Sequence, residues 1–345
     1  MARHLTVVGA GIFGLCCGWE QARRGARVTV IESDRIGAGP SGGTVGALAP
    51  HAPGAWNPKK QIQLDALIAA QGWWDTVRKA GGTDPGYQRS GRLQPVAPGA
   101  EDQARARVGA AAQDWPAPFR MTLTDAPAGG LVPDSASSLW LADNLTARIS
   151  PRAACAALAA AIRANGGEII ESAGHQHPED LPQGAIWATG AQGLADLGRD
   201  LGHKAGDGVK GQSALLAHAA PDAPQVFADG LHVVPHADGT TAIGSTSEPG
   251  RDDTATDDQL DTLIARARAL CPQLAGARVL ERWAGIRPRA VSRAPLVGPW
   301  PGRPGHFIAN GGFKIGFAMA PAVAIMLADL VLDDSDRIPP GFRTG

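Results

Sequence analysis

The sequence predicts an α/β fold carrying a second, α+β domain, and three observations predict it. A short β-branched run, an unbroken apolar helix and a second β-branched run open the chain. The same alternation resumes with the helix that starts at Ser150-Pro151. From residue 209 onward, several short strand-like runs follow one another without intervening helices. The length of 345 residues exceeds the ~100–200 of a usual domain. The expected division is therefore residues 1–82, 143–204 and 283–345 in the α/β domain, and 83–142 with 205–282 in the α+β domain with a mainly antiparallel sheet.

Residues 5–9 read as a strand, 12–24 as a helix stopped before Gly25, and 27–31 as a parallel partner strand. Residues 35–58 are rich in Gly, Ser and Pro and too long for an ordinary ~2–6 residue βα connection, which marks a functional loop. A helix over 61–80 ends at Gly81-Gly82. A strand at 92–97 and a helix at 101–113 precede a loop-rich interval, 116–134, with room for one short strand. Ser150 is the expected capping hydroxyl before Pro151, and Asn165-Gly166-Gly167 closes that helix. Strands are expected at 168–171, 185–189, 209–216, 231–234, 241–244 and 279–283, with a helix at 257–270. The apolar stretch 315–332 is interrupted by Gly316, Pro321 and Asp329, so it reads as a buried helix rather than a transmembrane segment.

Composition narrows the function classes. With 44% hydrophobic and 19% charged residues the chain can build a core, and a net charge of −1 without a basic stripe argues against nucleic acid as a partner. Cys16, Cys17, Cys155 and Cys271 show no paired metal spacing, so no metal site is expected and a reducing compartment fits. The start, Met1-Ala2-Arg3-His4, lacks the pattern of a secretory signal, which gives a cytoplasmic expectation.

Gly9-Ala10-Gly11-Ile12-Phe13-Gly14 lies between the first strand and the first helix. The first glycine permits the tight turn, the second the approach of a pyrophosphate, and the third close packing of helix on sheet. The helix N-terminus then presents free N–H groups to the phosphates. Glu32 ends the second strand, where its carboxylate can accept from an adenosine ribose and repel a 2′-phosphate; Ser33 follows it. This is a Rossmann-like dinucleotide site.

Four separated features resemble the flavoprotein family of amine and amino-acid oxidases, which includes D-amino-acid, glycine and sarcosine oxidases. They are the fingerprint extended to Gly18, Gly25 and Glu32; the loop Gly39-Pro40-Ser41-Gly42-Gly43-Thr44-Val45-Gly46-Ala47-Leu48-Ala49-Pro50-His51; Ala188-Thr189-Gly190 at a strand end; and the tail, Trp283-Ala284-Gly285-Ile286-Arg287-Pro288 with Asn310-Gly311-Gly312-Phe313-Lys314-Ile315-Gly316. The resemblance implies a discontinuous FAD-binding domain with a substrate domain over the flavin. It also implies FAD contacts from Ser41, Gly42, Gly43, Thr44, Gly46, Ala47 and Leu48, adenine-side backbone contacts from Val209, and flavin-side contacts from residues 311–315. Attachment of FAD is expected to be non-covalent, because the linking cysteine of sarcosine oxidases falls near Gly285.

By the same resemblance Arg287 grips a substrate carboxylate and Lys314 adds a second cation, while His232 takes the place of a tyrosine. A guanidinium fork and an ammonium together suit a small amino acid. Alternatives stand beside these roles. Arg287 can pair with an acid such as Glu281, Lys314 can reach solvent, and His232 and His51 can be strand and loop histidines without chemistry. Trp56 and Trp283 are candidate pocket walls. The implied reaction is two-electron oxidation of a C–N bond to an imine that hydrolyses. Oxygen or another acceptor reoxidises the flavin, and Ala242 stands where sarcosine oxidases carry their oxygen-activating lysine. An NAD-linked dehydrogenase or a non-catalytic electron-transfer flavoprotein subunit are the rival readings.

Overall fold

The computed structural model describes residues 3–181 and 184–344, so the sequence reading of Met1 and Ala2 lies outside the described residues. In chain order the elements are β1 (His4–Val8), α1 (Ile12–Arg23), β2 (Arg27–Ile31), β3 (Ala47–Leu48), α2 (Pro58–Gly81), β4 (Arg92–Pro95), α3 (Glu101–Asp114), β5 (Met121–Thr124), β6 (Trp140–Asp143), β7 (Ala147–Arg148), α4 (Pro151–Ala164) and β8 (Glu168–Ile170). There follow β9 (Ile186–Trp187), α5 (Gly190–Leu201), β10 (Gly206–Leu216), β11 (Gln225–Ala228), β12 (Leu231–Pro235), β13 (Thr241–Gly244), β14 (Glu248–Pro249), α6 (Asp258–Leu270), β15 (Val279–Ala290), β16 (Leu296–Pro299), β17 (Phe307–Asn310) and α7 (Gly316–Asp333).

The opening βαβ unit forms because two β-branched runs pair in parallel, Val7 beside Val30, while α1 buries nearly every side chain. Those strands continue into a six-stranded sheet ordered β16-β17-β9-β1-β2-β8, parallel except for β16. α1 lies between this sheet, α4 and α7. Its one buried carboxylate, Glu20, is held by Arg23 at 2.6 Å and Arg24 at 2.8 Å, as a charge removed from water requires. Residues 313–333 are long and apolar enough to cross a membrane by composition, but here they pack against α1 and α2.

A second sheet runs β14-β10-β13-β12-β11-β4-β6-β5, with β15 pairing along β10. Its pairings are antiparallel except β11 with β4. α6 covers one face through Leu260, Leu263, Ile264 and Ala267, packed on Leu216, Val233 and Ile243. Burying each such aliphatic side chain contributes about 1.5–3 kcal/mol.

Three local expectations change. The strand read as ending at Trp283 runs on to Ala290, so the division drawn at 282/283 falls inside one strand. Gly285 and Pro288 mask it in sequence, whereas pairing with β10 sustains it. Ser150 makes no side-chain capping bond, and Pro151 alone marks that helix start. α5 and strands β3, β6, β7, β11, β14, β16 and β17 have no counterpart in the sequence reading.

Candidate functional site

A cavity of about 920 Å³ runs from the end of β2, past the N-terminus of α1, to the face of the large sheet. That is near the top of the ~300–1,000 Å³ range of ligand pockets. Its first wall is the glycine turn. Gly9 has φ +102°, and a Cβ there would lie 2.6 Å from the Ala188 carbonyl. At Gly14 a Cβ would lie 1.8 Å from the Gly9 carbonyl. Gly14 thus faces its own turn rather than the cavity, and its role is helix-on-turn packing. Gly11, Ile12 and Phe13 do line the cavity. Ser41 Oγ accepts from Ile12 N at 2.9 Å, bringing the long loop onto the helix N-terminus.

At the β2 end, Glu32 Oε2 accepts from Ala10 N at 2.6 Å, and Oε1 accepts from Ser33 Oγ at 3.0 Å and Asp34 N at 3.1 Å. The chain after β8 is tied to this corner: Ala173 N donates to Glu32 O and Gly174 N to Ser33 O. Gly174, His175 and Gln176 therefore line the Glu32 end of the cavity, the end at which the resemblance implies Val209. Val209 is fully buried in β10, paired with Arg287 and Pro249, and does not line it. Nothing in the local sequence 173–176 signals this role; only the pairing of β8 with β2 does.

The loop 39–51 is fixed by neighbours from the larger sheet. Thr44 Oγ1 donates to Ser213 Oγ at 2.8 Å, and the Thr44 carbonyl lies 2.9 Å from His236 Nε2. Burial lowers the pKa of His236. Gly43 lies against the Trp283 ring, and Gly46 packs so tightly that a Cβ would meet the Ile149 carbonyl at 1.8 Å. Ser41, Gly43, Thr44, Gly46, Ala47 and His51 line the cavity. Gly42 and Leu48 do not: Gly42 turns toward the Gly37 carbonyl, and Leu48 is fully buried in the core. Trp283 walls the cavity, while Trp56 bonds Gln61 outside it. His51 is fixed by Gln63, which takes both its backbone N–H and its Nδ1, and burial lowers its pKa.

The other strand ends complete the lining. Ala188, Thr189 and Gly190 follow β9, and the Thr189 hydroxyl is buried without a partner among the described residues. Gly311 has φ +78° and Gly312 abuts the Phe13 ring, so residues 311–315 pass close over the α1 N-terminus. Gly311, Gly312, Phe313, Lys314 and Ile315 all line the cavity.

The charged groups gather opposite Glu32. Arg287 Nη1 donates to Ser245 Oγ at 2.6 Å, and Nη2 donates to the carbonyls of Thr246 at 2.5 Å and Lys210 at 3.3 Å. Its guanidinium lies over Gly211, where a Cβ would come within 2.1 Å of Nη2. Among the described residues it makes no ion pair. Glu281, the rival partner, is bonded to Arg152 instead, at 2.5 Å. Desolvation pushes the Arg287 pKa down to about 10. Lys314, also without an ion pair among the described residues, is lowered by burial and then by Arg287. Both cations sit beside the Phe313 ring, each 5.6 Å from its centroid. His232 lines the same end; burial, then Arg92 and Lys314, push it down to about 4, so its imidazole is neutral at pH 7. Ser213, Ser245, Arg92 and Phe227 line the cavity and carry no signal in the sequence. They reach it only through pairing between distant strands.

Two desolvated cations, Arg287 bonded only to neutral acceptors and Lys314 with no ion pair among the described residues, carry a charge that an anion would relieve. Such a cavity can take a dinucleotide along one wall and a small anion at its far end, which defines a nucleotide-dependent oxidoreductase. The model of the FAD dependent oxidoreductase family matches residues 4–330, and the chain belongs to that family. It is 27% identical to a glycine oxidase of Pseudomonas putida over 99% of this chain and 97% of the relative. Among solved structures, glycine oxidase from Geobacillus kaustophilus superposes with a TM-score of 0.86 at 25% identity, covering 100% of this chain and 99% of that one. Iminodiacetate oxidase from a Chelativorans species shares the fold, with a TM-score of 0.81 at 22% identity and coverage of 99% and 98%. The protein is thus an FAD-dependent oxidoreductase of the amino-acid oxidase type, and the NAD-linked alternative falls away. The residues present fit FAD: a glycine turn at a helix N-terminus, a carboxylate at the ribose side, the unpartnered Thr189 hydroxyl, and the close-passing Gly311-Gly312.

Proposed function

We propose that the chain oxidises the C–N bond of a small amino acid or secondary amine to an imine, which water hydrolyses. The observation that carries this reading is the partly buried Arg287, whose charge meets only neutral oxygens. When bound, FAD supplies the two-electron acceptor for hydride from the substrate carbon. The chain's own residues bind and orient. The Arg287 fork takes the carboxylate, Lys314 adds a point charge from the next segment, and the pair restricts rotation of the substrate about the bond to be oxidised. His232, neutral, offers a hydrogen-bonding nitrogen without competing for the carboxylate's charge. Gly9, Gly11, Ile12, Phe13, Glu32 and Ser33 hold the nucleotide side, and residues 311–315 the flavin side. No cysteine lines the cavity among the described residues, which supports non-covalent FAD. The four buried free thiols support a reducing, cytoplasmic setting.

The test is anaerobic titration of the FAD-loaded protein with glycine, N-methyl and cyclic imino acids, and D-amino acids. At least one must bleach the flavin; if every member of the panel leaves it oxidised, the reading fails. The acceptor is a separate matter. Ala242 is fully buried in β13, and reoxidation by a quinone or protein acceptor is therefore proposed beside oxygen. Oxygen uptake measured against dye reduction separates the two.

A further inference from the structure

Beyond Arg287 and Lys314, the cavity continues to a second cationic wall that the proposed reaction does not use. Arg92, on β4, is 7% exposed and lines the cavity. Its Nε donates to Asp143 Oδ2 at 3.1 Å, and Asp143 Oδ1 is fixed by Leu145 N at 3.2 Å and Thr146 N at 2.8 Å. Arg92 and Asp143 stand directly opposite each other in the β4–β6 register. This single contact orients the planar guanidinium, while its two terminal nitrogens make no hydrogen bond among the described residues. Asp143 lets the arginine be buried without a ligand, so the wall persists when the cavity is empty of substrate. The open edge of the guanidinium is the edge that matches a carboxylate bidentately.

Two neighbours extend this wall. Arg107, on α3, lines the cavity and has no ion pair among the described residues. The Phe227 ring lies 5.8 Å from the Arg92 guanidinium and 4.6 Å from the His232 ring, filling the space between the arginine and the imidazole. The strand bearing His232 is two places from β4, with β11 between them. At ~4.8 Å per strand, the backbones are ~10 Å apart, a gap that a long arginine and a few substrate atoms can close.

We propose that Arg92 and Arg107 form a second anion seat, and that the substrate is an amino acid with a further acidic group on a spacer, such as an N-carboxyalkyl amino acid. The inference rests on the C–N oxidation reading and adds the class of substrate to it. Arg287 and Lys314 hold the α-carboxylate, His232 and Phe227 flank the spacer, and the distal acid meets the open fork of Arg92.

The experiment uses FAD-loaded protein and two arms. In the first, N-methylglycine is compared with N-carboxymethyl-, N-carboxyethyl- and N-carboxypropyl-glycine by anaerobic flavin reduction. At least one diacid should exceed N-methylglycine in kcat/KM by about 30-fold, the scale of one charge-assisted contact. In the second, non-oxidisable α,ω-dicarboxylates are titrated against monocarboxylates of equal chain length, read by perturbation of the flavin absorbance. A dicarboxylate should bind about 10-fold tighter at its best length, and Arg107→Gln should reduce that advantage. Arg92→Gln should abolish it. Should that variant fail to fold, the neutral pair Arg92→Gln with Asp143→Asn removes the fork without leaving a buried charge. Equal affinity of mono- and dicarboxylates at every length overturns the seat. A protein that N-methylglycine bleaches as well as any diacid loses this inference and keeps the C–N reading. If nothing bleaches, the C–N reading fails, and the binding arm still decides whether the seat exists.

Discussion

The two ends of the cavity treat charge in opposite ways. At the Glu32 end, both carboxylate oxygens already accept bonds from the protein, from Ala10 N, Ser33 Oγ and Asp34 N. The turn beside it is backbone packed on backbone, with no room for a Cβ at Gly9 or Gly14. At the Arg287 end, the guanidinium is oriented by hydroxyl and carbonyl oxygens but not neutralised, and Lys314 beside it has no ion pair among the described residues. The first arrangement fixes a shape; the second preserves an unsatisfied charge. A cofactor that stays through many turnovers suits the former, and a ligand that must come and go suits the latter.

The sharpest way to break this contrast is to spoil the shape. Gly14→Ala places a Cβ 1.8 Å from the Gly9 carbonyl, a backbone clash that no rotamer relieves. It should cost on the order of 4 kcal/mol and release flavin, read as a lowered Tm and colourless protein. A variant that stays yellow with an unchanged Tm would show that the turn has slack. Next comes the charge. Arg287→Ala should lower kcat/KM for carboxylate substrates by about 10²–10³-fold, or roughly 3–4 kcal/mol, with FAD retained. Unchanged kinetics would remove Arg287 from the site.

Acid sharpens the comparison further. His232 has a folded-state pKa of about 4, below its ordinary 6.5, and burial lowers His51 and His236 as well. Between those two values the unfolded chain binds more protons than the folded one, so stability rises with pH there and falls as pH drops from 6.5 toward 4. His232→Phe should flatten that limb, measured as Tm against pH. An identical pH profile in the variant would mean that the imidazole is not desolvated. The smallest effect belongs to the surface. Glu281→Gln breaks the pair with Arg152 and should cost less than ~1 kcal/mol with substrate kinetics unchanged. A large loss of substrate affinity would return Glu281 to the role of Arg287's partner.

What could be read in the sequence follows the range of the interactions involved. The βαβ opening is written within residues 4–31, where alternation, glycine spacing and the terminal Glu32 all act locally. Arg287 and Lys314 were visible through motifs, and the structure brings them to one end of one cavity. Arg92, Phe227 and Ser213 carry no local signal, since each reaches the cavity only because β4, β11 and β10 pair as they do. Gly42 and Leu48 fail for a related reason: a loop motif names its members, but only packing decides which face inward. Val209, which the resemblance implies at the nucleotide end, lies on a strand of the other sheet. Strand β15 escaped full recognition because Gly285 and Pro288 look like breakers, although in the structure Gly285 makes room for the Trp283 ring.

That last detail has a mechanical consequence. Trp283, Gly285 and Arg287 alternate onto the same side of a single extended segment, so the indole that lies against Gly43 and the guanidinium proposed to meet the substrate carboxylate are mounted on one strand. Neither can swing away without carrying the other. On the proposed reading, admission and discharge of small molecules are then expected to proceed by motion of other parts of the enclosure.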